Sequence, residues 1–338
     1  MKRVRLCLLL ASVAGWLPLL TSAQQITRLP TVAILTPDRP APSACDVGSV
    51  GIPVACMKDG FRALGYVEGR NIAFEVRYAS DEYKRLPALA AELVALRPEV
   101  LFTASTGGAD AAAKATNTIP IIAMAGEPTL LRLAGNLARP TGNVTGFTVG
   151  SFGHELIEKC LQLLREAAPR TSRVAVIHNP DNIGYLARMD VLAPAASQLG
   201  ITLLNVAVRD ASELPRAFDS MLAGGADAVC ITPESTLVGS PEVRKQLAEW
   251  AASHRLPTAS AFASFAADGG LFSLGPDFLA IARRSATYVH RILGGAKPVD
   301  LPIERPTIFK LTVNRKTAAA IGVKLPQSLL LRADEVIA

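Results

Sequence analysis

The chain has 338 residues, half of them hydrophobic, with 35 Lys and Arg against 29 Asp and Glu, a formal net charge of +6. That apolar fraction at that length excludes a disordered chain and is ample for a core, with room for two domains. No Lys/Arg cluster is interleaved with aromatic residues, which argues against a nucleic-acid partner.

Lys2, Arg3 and Arg5 precede the apolar run Leu6 to Leu20, and Thr21-Ser22-Ala23 follows as a small-residue cleavage site. This predicts a secretory signal peptide over residues 1–23, cleaved after Ala23. The run is broken by Gly15 and Pro18 and falls short of the roughly 20 residues that a membrane-crossing helix needs. Cys7 lies inside the leader and no cysteine follows the apolar region at the cleavage point, so the usual lipid-attachment site is missing and a soluble periplasmic chain is expected. Losing Lys2, Arg3 and Arg5 takes 35 basic residues to 32 against 29 acidic ones, a mature charge of +3.

Of the remaining cysteines, Cys45 and Cys56 flank a Gly- and Pro-containing loop, and in an oxidising compartment a disulfide between them is expected. Cys160 falls on the apolar helical stripe Leu156, Ile157, Leu161, Leu164, and Cys230 in the strand-like run Ala228 to Ile231, so both read as small buried hydrophobes. There is no Cys-x-x-Cys pair and His154, His178, His254 and His290 are scattered, so neither a metal nor another cofactor is expected.

Apolar runs rich in β-formers alternate with helical stretches: strands are predicted at Thr31 to Thr36, Asn71 to Tyr78, Val100 to Ser105 and Ile119 to Ala125. Between the second and third, Leu89, Leu93, Val94 and Leu96 repeat at close to the helical period. Continuous apolar strands separated by helices predict an α/β fold with parallel sheets. The order then returns at Arg173 to His178, Ile201 to Val208, Ala228 to Thr232 and Leu256 to Ala261. Leu86-Pro87, a helix and a strand are matched by Leu214-Pro215, a helix and a strand, and the repeat favours two similar lobes over one doubly wound sheet of eight strands.

Turn-rich segments mark three crossings between the lobes, near Asn143 to Thr148, Gly270 to Gly275 and Pro302 to Thr307, as a hinge would require. The expected division is residues 30–145 plus 271–304 for lobe 1 and 146–270 plus 305–338 for lobe 2.

Gly65-Tyr66-Val67-Glu68-Gly69-Arg70-Asn71-Ile72, the stretch Leu137 to Phe147, Gly294-Gly295-Ala296-Lys297-Pro298 and the closing Pro326 to Ile337 together resemble the tryptophan/tyrosine-type substrate-binding proteins of ABC transporters. The resemblance spans essentially the whole mature chain. It implies a type I periplasmic-binding fold, two Rossmann-like lobes joined by three crossovers, with a small-molecule ligand between them and a membrane permease as partner. The chain departs from the family pattern at Gly126-Glu127-Pro128 and at His178-Asn179-Pro180, where Gly-Asp-Pro and Trp-Asn-Pro are frequent.

Ligands of open α/β sheets bind outside the carboxyl ends of the strands. In the first lobe those ends bring Ser105, Thr106, Gly107 and Glu127; in the second, His178, Asn179, Glu234 and Phe262. Ser105-Thr106-Gly107 opens a helix, where N–H groups and the dipole favour a ligand carboxylate, although a serine there also reads as a plain helix cap. Glu127 and Glu234 could accept an ammonium or hydroxyl, while His178 and Phe262 could pack on the ligand body. The ligand class read from this set is a small polar organic molecule, such as an amino acid or aromatic acid, bound by a monomer that performs no chemistry. A secreted α/β hydrolase-type enzyme and a ligand-presenting receptor for a membrane sensor remain open, although no nucleophile elbow, phosphate loop or zinc motif is present.

Overall fold

The computed structural model describes residues 28–40, 45, 54–149, 152–183, 185–232, 237 and 239–338. The predicted leader therefore lies outside the described residues.

Buried apolar runs form the first sheet, in the order β2-β1-β3-β4-β5: β1 (Thr31–Thr36), β2 (Ala73–Tyr78), β3 (Val100–Thr103), β4 (Ile121–Ala125) and β5 (Val144–Thr148). All its pairings are parallel. Helices cover both faces, as apolar runs with no polar alternation require. Ala33, Leu35, Leu101 and Ile121 meet α2 (Leu86–Ala95), α3 (Thr106–Ala115) and α4 (Glu127–Ala134) on one side. On the other side, Val32, Ile34, Phe102 and Met124 share a cluster with Met57 and Phe61 of α1 (Val54–Ala63).

The second sheet has seven strands in the order β12-β11-β10-β9-β8-β6-β7. They are β6 (Arg173–His178), β7 (Thr202–Ala207), β8 (Ala228–Ile231), β9 (Thr258–Ser260), β10 (Phe272–Pro276), β11 (Phe309–Asn314) and β12 (Glu335–Ile337). Its helices are α5 (Phe152–Ala167) and α6 (Leu186–Gln198) against Val174, Cys230 and Phe272, and α7 (Leu214–Ala223), α8 (Pro241–Ser253) and α9 (Ala263–Ala267) against Ala175, Ile177 and Val229. The short α11 (Arg315–Ile321) and α12 (Gln327–Arg332) follow β11. The second sheet is parallel apart from β11, which runs antiparallel to β10 and which the chain enters on returning from the first lobe.

The repeat read in the sequence is structural. Tyr83–Arg85 and Ala211–Glu213 each form a 3-10 turn that runs into a helix with proline in its first turn, Pro87 in α2 and Pro215 in α7. Proline suits that position because the missing N–H would have no acceptor within the helix.

Two stretches sit across the expected lobe boundaries. Residues 146–148 complete β5 in the first sheet, and 272–276 form β10 in the second, so the first two crossings come a few residues later, after Thr148 and at Pro276-Asp277. The helix α10 (Phe278–Leu293) then docks on the first lobe, where Ala282, Ala286 and Val289 join the cluster of Met57 and Phe61. Gly60 makes that approach possible, since a Cβ there would collide with the Arg283 carbonyl. Glu304 bridges to Phe147 at the edge of the first sheet before the chain crosses at 305–308 into β11.

Cys45 and Cys56 are joined by a disulfide across a Cα separation of 4.8 Å, and Arg283 of α10 donates to the Cys45 Sγ at 2.9 Å. Cys160 and Cys230 are buried free thiols. No helix among the described residues is long and apolar enough to cross a membrane.

Candidate functional site

Each sheet ends its parallel strands along one edge, and the loops at those edges hold buried polar side chains. After β3, Ser105 takes an extended conformation and its Oγ accepts from Gly108 N at 2.9 Å, capping α3. Thr106 Oγ1 accepts from Gly126 N at 3.1 Å, tying the loop after β3 to the loop after β4. The amides of Thr106 and Gly107 belong to the first turn of α3, whose N–H groups have no acceptor inside the helix and carry its positive end. Gly107 serves packing: a Cβ there would press on Tyr83 and Leu86 at 3.1 and 3.2 Å.

In the second lobe, His178 is 7% exposed and lies flat on Tyr185, with ring centroids 3.5 Å apart and planes 3° from parallel. The Tyr185 hydroxyl donates to Asn205 Oδ1 at 2.8 Å. Burial pushes the His178 imidazole below its usual range and the Tyr185 phenol above its own; the Val176 carbonyl opposes the shift on His178. The neutral ring is thus the stable form at neutral pH. Asn179 is buried beside it, and its Oδ1 accepts from Asp181 N at 2.9 Å. Thr232, at the end of β8, donates to the Ile177 carbonyl at 3.0 Å. Glu234 lies outside the described residues.

Phe262, after β9, stacks on Phe278 at the start of α10, with centroids 4.6 Å apart and planes 17° from parallel. Since α10 docks on the first lobe, this ring pair packs the two lobes together beside the second crossing. Phe278 was not anticipated; it stands one residue past the cap Asp277, whose carboxylate accepts from Ala280 N at 2.9 Å.

Glu127 opens α4, and both its carboxylate oxygens receive the Arg305 guanidinium, at 2.8 and 2.6 Å. The carboxylate read as a ligand acceptor is thereby engaged with the third crossing. Arg305 was also missed, although Pro302 to Thr307 was read as a crossing; nothing in its composition announces a partner 178 residues away.

The three crossings meet around a cavity of about 760 Å3 lined by Thr148, Asp277, Ile281, Glu304, Arg305 and Ile308, with Arg284 and Lys310 at its charged wall. Arg284 holds Glu304 through two contacts of 2.7 Å, and Lys310 holds Asp277 at 2.9 Å. The Arg284 guanidinium keeps the Glu304 carboxyl below its usual range against the effect of burial. Burial would raise Asp277, but Lys310 and the Ala280 N–H outweigh it and hold it low. None of the predicted contact residues that are described lines this cavity, and Glu127 is joined to it through Arg305. The described part of the predicted set is therefore distributed: Ser105, Thr106 and Gly107 gather at one helix start, His178 and Asn179 at another junction, and Phe262 and Glu127 at the crossings. Among the described residues no group of three or more His, Cys, Asp or Glu side chains could hold a metal ion.

Two α/β sheets, helices on both faces of each and three crossings define a type I periplasmic-binding fold. Residues 49–337 match the family model of the ABC transporter substrate binding protein, and the chain belongs to that family. It is similar to a tyrosine-binding protein of Clostridioides difficile, 24% identical over 79% of this chain and 76% of the relative. Among solved structures, a conserved domain protein from Vibrio cholerae superposes with a TM-score of 0.79 at 26% identity, covering 90% of this chain and 99% of that one. An ABC domain from Streptococcus pneumonia in complex with L-Trp superposes with a TM-score of 0.75 at 22% identity, covering 90% of this chain and all of the other.

Proposed function

We propose that this chain is the extracytoplasmic solute-binding component of an ABC importer, capturing a small carboxylate-bearing organic molecule between its lobes and releasing it unchanged to a permease. Amino acids with an aromatic body are the first candidates. The observation that carries the reading is the helix start at Ser105-Thr106-Gly107: a capped turn on the strand-end edge of the first sheet, with Ser105 and Thr106 buried and the positive end of α3 at that edge. Membership of a substrate-binding family supports it, as do the tyrosine and tryptophan named for two of its relatives. The leader predicted over residues 1–23 makes the periplasm the compartment, and the protein acts there as a monomer.

A thermal-shift screen of amino acids, aromatic acids and nucleobases tests the reading. A ligand that binds only the folded state stabilises it by an amount that grows with the logarithm of its concentration, about 2.7 kcal/mol at a hundredfold excess over Kd. A concentration-dependent rise with an amino or aromatic acid, recovered intact afterwards, is the expected result. Steady conversion of the compound would instead favour the hydrolase-type alternative.

A further inference from the structure

The cavity at the crossings, about 760 Å3, is of the size that holds small molecules. Its described lining comes from the end of β5, the start of α10, the third crossing and β11; no described residue of the loops after β1, β3, β4, β6, β8 or β9 contributes to it. It is therefore separate from the strand-end edges that carry the proposed cleft. Phe147, Ile281, Pro306 and the exposed Ile308 give it an apolar wall. Arg284 and Lys310 bring charge, each more than half exposed while holding Glu304 and Asp277. Both carboxylates are thus engaged within the protein, whereas the two cations carry more N–H donors than these pairs use. Thr148 belongs to the same lining: it is fully buried, its backbone N–H donates to the Glu304 carbonyl at 2.8 Å, and its hydroxyl has no hydrogen-bond partner among the described residues. Buried hydroxyls are nearly always paired, so an orphan on a cavity wall marks a place for a ligand oxygen.

We propose that this cavity is a second ligand site, separate from the cleft, for a small amphipathic monocarboxylate. Its apolar body packs on Phe147, Ile281, Pro306 and Ile308, and its carboxylate is received by N–H donors of Arg284 and Lys310 and by the Thr148 hydroxyl. The paired acids decide the charge of the ligand. Asp277 and Glu304 are each neutralised by their own cation, so neither is left to hold an ammonium. An amino acid is for that reason the poorer fit, and a fatty or aromatic acid without an ammonium the better one. Because both cations are partly exposed, the head group supplies selectivity for an anion, while burial of the apolar body supplies most of the affinity. The inference goes beyond solute capture and does not depend on which compound the cleft takes.

Titration calorimetry of the full mature chain with sodium octanoate, kept below its micelle concentration, tests the site; octylamine offers the same body with the opposite charge, and acetate the head without the body. Saturable one-to-one binding of octanoate, absent for octylamine and acetate, is the expected result. Ala280→Trp sets a ring on the exposed wall of the cavity and is expected to abolish that binding. Thr148→Val removes a hydroxyl with no partner to lose, so the fold is kept while octanoate affinity falls about tenfold. His178→Ala, at the proposed cleft, leaves octanoate binding unchanged. No saturable binding of octanoate, equal binding of octylamine, or an affinity that either cavity substitution leaves unchanged overturns the second site. Weakening by His178→Ala alone would place octanoate in the cleft and overturn it equally, so a failure here and a failure of cleft capture give different results.

Discussion

Replacing Cys45 and Cys56 with serine removes the bridge between the segment after β1 and the start of α1. The bridge spans 11 positions of sequence, and the entropy of closing a loop of that size in the unfolded chain gives a loss of about 3 kcal/mol. Cys56 is fully buried beside Met57 and Phe61, and Cys45 receives Arg283, so the native fold keeps a scaffold for the serines and the loss stays near the loop-entropy value. For a lobe of about 150 residues, 2–4 °C per kcal/mol converts this into a fall of about 6–12 °C in the melting temperature. Scanning calorimetry of the oxidised wild type, the reduced wild type and the double-serine variant measures it, with peptide mass spectrometry on non-reduced protein confirming the bond. Equal melting temperatures in all three, or two free thiols in protein recovered from the periplasm, would show that the bridge does not stabilise the fold.

Glu127→Ala removes the partner of Arg305; because that guanidinium is about half exposed, the loss in stability is about 1 kcal/mol, whereas unchanged unfolding and unchanged ligand affinity together would show the pair to be idle. Phe278→Ala deletes a buried ring that stacks on Phe262 and should cost about 3–5 kcal/mol by chemical denaturation; a loss below 1 kcal/mol would contradict its place in the core. His178 has its pKa lowered by burial, so between its folded and unfolded pKa values the unfolded chain binds the extra proton. Stability contributed by the neutral ring is therefore present above the unfolded value of about 6.5 and declines as pH falls through it, and His178→Gln should flatten that part of a pH–stability profile. An identical profile in the variant would remove His178 as its source.

Most of the fold was legible in the sequence because its strands are buried on both faces. Runs such as Val32-Ala33-Ile34-Leu35 and Val174-Ala175-Val176-Ile177 have no polar alternation to confuse them, and the Leu-Pro openings of α2 and α7 mark both lobes alike. β5 was hidden. Its Val-Thr-Gly-Phe-Thr reads as part of a turn, yet Gly146 is needed there because a Cβ would strike the Ala123 carbonyl on β4. β10, with Ser273, Gly275 and Pro276, was read as a turn for the same reason, and Gly275 similarly clears the Ala261 carbonyl.

The site was legible in position but less so in partnership. Strand ends follow from the apolar pattern, and the capping role of Ser105 follows from residue type. What a side chain touches outside its own element does not: the stacking of Phe262 on Phe278 at the second crossing and the clamp of Glu127 by Arg305, 178 positions away, depend on how the two sheets come together.

Capture of a small carboxylate-bearing molecule without altering it is the proposed role of the protein. Isothermal titration of the mature chain with L-tyrosine, L-tryptophan and a panel of other amino and aromatic acids, followed by mass analysis of the recovered compound, tests it most directly. A saturable one-to-one isotherm for at least one of them, with full recovery of the unchanged ligand, is the expected result, whereas no binding across the panel, or a product accumulating in proportion to protein and time, would contradict capture without chemistry.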